Sequence, residues 1–138
     1  MTYQVIDLRP TRPDNRRMTD FAQVAARYID TWNEADWAAR RAAIDELWAE
    51  DGRYVDPLAA VQGRAAIDAT IAAVQSRFPD FAFRLAGPVD GHHSQCRFGW
   101  ELGPADAQAP IAGFDVAVLG ADGRIEAVFG FLDRAPTT

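Results

Sequence analysis

Glu46-Leu47-Trp48-Ala49-Glu50-Asp51-Gly52-Arg53-Tyr54-Val55-Asp56-Pro57, running on to Gly63-Arg64-Ala65-Ala66-Ile67, is the stretch whose reading decides the fold. Asp51-Gly52 is a turn signal that ends a helix. Arg53-Tyr54-Val55 reads as a short strand. Pro57 removes a backbone donor and biases Asp56 towards extended geometry, so a carboxylate stands at the strand's end. A further helix starts near Gly63.

Upstream, Thr19-Asp20 offers an N-cap. Phe21, Ala25, Tyr28 and Trp32 recur at spacings of four, three and four, which predicts one amphipathic helix ending near Asn33-Glu34. Ala35-Asp36 opens a second helix. Trp37, Ile44, Leu47 and Trp48 are expected on its inner face, with Arg40, Arg41, Asp45 and Glu46 in water. Downstream, Ile67, Ile71, Val74 and Phe78 predict a third helix over about 63–78, stopped by Pro79. The period then switches to two. Phe81, Phe83 and Leu85 mark a strand that Gly87-Pro88 interrupts or bulges. After a turn at Asp90-Gly91, Cys96, Phe98, Trp100 and Leu102 share a face. A strand over 110–119 carries Asp115 among apolar residues, and Ala121-Asp122-Gly123 turns it into a last strand over 124–132. Three helices followed by an antiparallel meander give an α+β domain with helices on one face of a curved sheet.

The 138 residues make one domain, 19–138, behind an extension over 1–18. In that extension Tyr3 to Leu8 is expected to add an edge strand or to dock on a partner chain. The net charge of −6 argues against nucleic acid or an anionic membrane as partner. No run is apolar enough to span a bilayer, and no signal-peptide pattern opens the chain. The single cysteine, Cys96, fits a reducing compartment, so a cytoplasmic location is expected. All 14 basic residues are arginine, which excludes Schiff-base and P-loop lysine chemistry. Ser76 and Ser94 lie outside any nucleophile elbow. No ligand spacing suggests a metal. The chemistry must come from carboxylates, tyrosine, histidine or arginine.

Ala26-Arg27-Tyr28-Ile29-Asp30-Thr31-Trp32-Asn33, Leu47-Trp48-Ala49-Glu50-Asp51, Tyr54-Val55-Asp56-Pro57 and Gly63-Arg64-Ala65-Ala66-Ile67 resemble the nuclear transport factor 2-like superfamily, which includes SnoaL-like polyketide cyclases and ketosteroid isomerase. The resemblance covers about 21–133. It implies a cone: three helices packed against a strongly curved, mainly antiparallel sheet that encloses a pocket. It also implies a homodimer through the sheet. The match to ketosteroid isomerase implies Asp56 as base, with Tyr28 and Asp115 as donors to the developing oxyanion, and no cofactor. Ala109-Pro110-Ile111 precedes Asp115 as the resemblance requires, but Ala112-Gly113-Phe114 intervene. The second helix is also longer than in the isomerase.

The implied activity is proton transfer next to a carbonyl on a small apolar ligand. A non-catalytic module that binds a hydrophobic ligand or a protein partner is the competing reading, and a SnoaL-like polyketide cyclase is a third. Enolisation needs a base to take and return a proton and donors aimed at the oxygen that becomes negative; an apolar setting would keep Asp115 protonated. Each residue also has a structural reading. Asp56 caps a turn, Tyr28 is a core tyrosine, and Asp115 hydrogen-bonds nearby backbone. Trp32, Trp48, Phe98, Trp100 and Phe129 are core aromatics, some of which line a pocket if the cone is hollow. His92 and His93 would point to opposite faces of a strand, which sends one of them, assigned as His93, to the pocket; the structural reading of both is turn or surface residues after Asp90-Gly91.

Overall fold

The computed structural model describes residues 19–136. The extension over 1–18 lies outside those residues. The chain runs α1 (Phe21–Asn33), α2 (Trp37–Leu47), β1 (Trp48–Val55), β2 (Ala60–Gln62), α3 (Arg64–Arg77), β3 (Ala82–His92), β4 (Gln95–Gly103), β5 (Ile111–Leu119) and β6 (Ile125–Arg134).

The helix starts follow their caps. Asp20 accepts from the Gln23 amide at 3.1 Å, and Asp36 accepts from the Ala39 amide at 2.8 Å. The expected stripe of α1 is buried at Ala25, Tyr28, Ile29 and Trp32. Asn33 then pins the end of α1 to β3, donating to the Phe83 carbonyl and accepting from its amide, both at 2.8 Å. The inner face of α2 differs from the expected one. Trp37 is 69% exposed, whereas Arg40 is only 5% exposed. The middle of α2 faces α3, and Nε and Nη1 of the Arg40 guanidinium are partnered. The guanidinium meets Asp68 at 2.6 Å, the Gln75 side-chain oxygen at 3.1 Å and the Glu34 carbonyl at 3.2 Å. A buried charge is tolerated when it is paired and hydrogen-bonded, as Arg40 is by Asp68.

The six strands form one open, curled sheet in the order β2-β1-β6-β5-β4-β3. The β1–β6 pair is parallel and all other pairs are antiparallel. The sheet is therefore mainly antiparallel, with three helices against it, as the sequence pattern implied.

Three local expectations change. First, Asp51-Gly52 is no turn, because β1 runs through it. Between Trp48 and Arg53 the register against β6 shifts, so the extra residues are absorbed as a bulge. The Trp48 ring lies over Gly52, where a Cβ would stand 2.6 Å from Trp48 Cε3. Second, β2 escapes the sequence pattern. It is three residues long and pairs with β1 across the 56–59 turn. Third, the β3–β4 turn falls at His93-Ser94, not at Asp90-Gly91, and His93 takes φ 53°. Gly87 (φ 80°) carries a bulge within β3 instead of ending it.

Along β5 the odd residues from Ile111 to Leu119 are buried and the even ones are half-buried. Asp115 is one of the buried set, so the alternation itself aims its carboxyl inward.

Candidate functional site

The concave side of the sheet and α1 enclose a cavity of about 320 Å³. Tyr28, Ile29 and Trp32 reach it from α1, Tyr54 and Asp56 from the end of β1, and Trp100 from β4. Asp115 reaches it from β5 and Gly130 from β6. Pro57, Leu58, Arg77, Phe78, Phe131 and Leu132 are also on its wall. The chain thus brings Tyr28, Asp56 and Asp115 to one cavity, together with Trp32 and Trp100.

Gly130 shows how close the two carboxyls come. It is the β6 partner of Asp115. A Cβ on it would stand 2.8 Å from Asp115 Oδ1 and 3.4 Å from Asp56 Cβ. Only a residue without a side chain leaves both carboxyls in place.

The two aspartates are held differently. Asp56 is gripped by its own turn. Its Oδ1 accepts from the Leu58 and Ala59 amides, each at 2.8 Å, and its Oδ2 accepts from the Tyr54 hydroxyl at 2.6 Å. Its own amide donates to the Ala59 carbonyl at 2.8 Å. Asp115 has no backbone donor on its side chain among the described residues. Tyr28 Oη donates to Oδ2 at 2.8 Å, and Trp100 Nε1 donates to Oδ1 at 3.0 Å. Asp115 is 3% exposed. Burial pushes its carboxyl up to about 6; the Tyr28 and Trp100 hydrogen bonds pull it back, and the nearby Asp56 charge adds to the rise. Burial, reinforced by Asp115, also raises the Tyr28 hydroxyl, and burial followed by the Asp115 charge raises that of Tyr54. Both phenols therefore stay protonated and serve as donors, not bases.

This arrangement departs from the implied one. Trp100 Nε1 can only donate, so Asp115 Oδ1 is an acceptor, and Tyr28 spends its proton on Oδ2. The described geometry is that of an acceptor carboxylate held by two donors.

Other expected site residues fall elsewhere. Trp48 and Phe98 are buried behind Tyr28, with ring centroids 6.4 and 5.3 Å from its ring. They back the site without reaching the cavity. Phe129 is half-buried opposite Val116 and off the cavity wall. His93 is exposed in the β3–β4 turn, because the turn begins three residues later than Asp90-Gly91 would set it. Tyr54 and Gly130 were missed. Tyr54 sits two residues before Asp56, so strand alternation places both side chains on one face and was signal enough. Gly130 gave no sign, since its requirement is space in the folded sheet. Among the described residues, no group of three or more His, Cys, Asp or Glu is placed to hold a metal. No helix among them is long and apolar enough to cross a membrane.

The profile of the SnoaL-like domain matches residues 25–128. The chain belongs to the SnoaL-like family. The match takes in Tyr28, Tyr54, Asp56, Trp100 and Asp115, all of the polar site except Gly130. Among solved structures, the chain is similar to a candidate isomerase of the SnoaL-like family from Agrobacterium tumefaciens. The two are 43% identical, over 84% of this chain and 99% of that one, with a TM-score of 0.80. A nuclear transport factor 2-like protein of unknown function from an Exiguobacterium species is 23% identical, over 80% and 98% of the two chains, with a TM-score of 0.64. A candidate polyketide cyclase from Sinorhizobium meliloti is 17% identical, over 78% and 93%, with a TM-score of 0.62. The last two show that the SnoaL-like fold is shared and nothing more. Among curated proteins none matches the chain.

Proposed function

We propose that this SnoaL-like protein is a cofactor-independent acid–base catalyst, an isomerase that moves a proton next to the carbonyl of a small, mostly apolar compound. The observation that carries the reading is Asp115: a carboxyl on the wall of a largely apolar cavity, raised to about 6 and held only by side-chain donors. A base titrating near neutrality can both take a proton and give it back. Asp115, not Asp56, is therefore the base in this reading.

The step runs as follows. The ionised Asp115 carboxylate takes the proton from the carbon beside the carbonyl. The C–H electron pair becomes the enolate double bond, and negative charge moves onto the carbonyl oxygen. Once Asp115 carries the proton it no longer needs the Tyr28 hydrogen, and the Tyr28 hydroxyl is free to turn to the enolate oxygen. In a substrate with a carbon–carbon double bond next to that α-carbon, the enolate is a dienolate, and return of the proton from Asp115 to its far carbon shifts the double bond into conjugation and yields the isomer. Asp56 fixes the 56–59 turn at the mouth and holds Tyr54 on the wall. The 43% identical candidate isomerase supports this reading over cyclisation.

The test is hydrogen–deuterium exchange at the α-carbon of 2-tetralone, followed by NMR in D2O. Wild type is expected to accelerate exchange, and Asp115→Asn to lose about a thousandfold of that rate or more. Unchanged exchange in Asp115→Asn sinks the assignment.

The face of the sheet opposite Asp115, which meets the cavity rim at Phe131, supports a homodimer. Phe114 stacks on Phe131 with ring centroids 4.9 Å apart, and Phe131 is half-exposed. Val116 and Phe129 are half-buried beside them. Sedimentation is expected to give a dimer for the wild type and a monomer for Phe114→Glu.

A further inference from the structure

The wall of the cavity carries two carboxylates, Asp56 and Asp115, and a single cation among the described residues, Arg77. Arg77 ends α3. Its guanidinium carbon lies 5.8 Å from the centroid of the Phe78 ring. Phe78 is itself on the wall and stacks on Phe81 at 5.6 Å and 14°. An aromatic face under a guanidinium restrains it and leaves its N–H edge free for an anion.

Among the other described arginines, Arg27 and Arg53 are exposed, off the cavity wall and, like Arg77, without an ion-pair partner among the described residues; the rest are engaged. Arg40, Arg41, Arg84, Arg97 and Arg124 each face a carboxylate. Arg64 and Arg134 donate to backbone carbonyls. Arg77 has no ion-pair partner among the described residues, yet it lies on the cavity wall. The C-terminal end of a helix favours a cation, which explains a basic residue there. It does not explain why that residue lines the cavity.

We propose that the substrate is an amphipathic carboxylate, its apolar body in the cavity and its anionic group on Arg77 at the rim. A purely apolar ligand would leave this cation idle. An anionic one without Arg77 would meet two negative side chains and no compensating charge. The proposal deepens the acid–base reading and rests on it only for the carbonyl end of the ligand.

Two probes share a body and differ in charge: 2-naphthylacetate and 2-naphthylacetamide. Titration calorimetry at low ionic strength is expected to show the wild type binding the acetate about tenfold more tightly than the amide. High salt narrows the gap, as screening of a rim charge requires. Arg77→Gln is expected to bring the acetate down to the amide's affinity, and Arg77→Lys to keep part of the preference. Equal binding of the two probes by wild type overturns the proposal. So does a preference that survives in Arg77→Gln, or no binding of either probe. Exchange of 2-tetralone, which carries no anionic group, reports on Asp115 separately. Lost tetralone exchange with an intact acetate preference would remove the base and leave Arg77 standing.

Discussion

Asp56 and Asp115 flank the same glycine yet live in different chemistry. Asp56 is half-buried and fully engaged by local groups: two backbone amides of its own turn and the tyrosine two residues before it. Asp115 is buried in mid-strand and engaged only by side chains from α1 and β4, 87 and 15 residues away in sequence. A carboxylate gripped by its own turn is a structural device that also faces a cavity. A carboxylate held by distant side chains costs stability, and folding tolerates that cost most readily where the group is used. Under the proposed function, the contrast puts the base in the middle of the sheet and not at the proline-locked corner.

The largest expected effect separates the two residues by rate. Asp115→Asn should abolish α-carbon exchange, whereas Asp56→Asn, which keeps an acceptor for the turn amides, should cost about tenfold. If Asp56→Asn proves the more damaging, the roles are reversed and Asp56 is the base.

Next comes stability, where the order inverts. Asp56→Ala strips partners from two amides and a hydroxyl and should destabilise the fold by about 2–3 kcal/mol in urea unfolding. Asp115→Asn should do the opposite at high pH. The folded Asp115 carboxyl sits near 6, above its unfolded value, so its contribution to stability is fully present below the unfolded value and is lost as pH rises through about 6. The variant has nothing to lose there. Its melting temperature should exceed the wild type's by several degrees at pH 8, with the gap closing towards pH 4.5. A gap that is constant with pH contradicts a raised Asp115.

The sequence made the fold legible because its signals are local. The caps at Asp20 and Asp36, the stripe through Tyr28 and the alternation through Asp115 each need only a few neighbouring residues to be read. The errors fall where the signal depends on what packs nearby. Asp51-Gly52 reads as a turn until a parallel β6 absorbs it as a bulge. Arg40 reads as solvated until Asp68 and Gln75 arrive from α3. The three polar vertices of the site were legible as residues, but the hydrogen bonds that hold each of them were not. Whether Asp115 donates or accepts is decided by Trp100 across the strand, and whether Asp56 is free is decided by its own turn. His93 was misplaced by a three-residue error in a hairpin, enough to move a side chain from a cavity to the surface.

The smallest expected effect tests that last point about Trp100 most directly. Trp100→Phe keeps an aromatic ring beside Gly113, where the indole packs so closely that a Cβ would stand 2.6 Å from it. It removes one hydrogen bond, from Nε1 to Asp115 Oδ1. A single such bond contributes about 1 kcal/mol, so the exchange rate should fall only about fivefold. The pH profile carries the sharper signal. The base must be ionised to act, so exchange should rise through about pH 6 and level off above it. The Trp100 bond holds the carboxyl down, and its loss should move that rise to higher pH. Tyr28→Phe removes the stronger of the two lowering bonds and should move it further. In Asp56→Asn the rise should move the other way, because the neighbouring negative charge that pushes Asp115 up is gone. Opposite displacements from residues on either side of Gly130 would identify Asp115 as the titrating base. Displacements of one sign would mean that the titration belongs to the pair and not to one member.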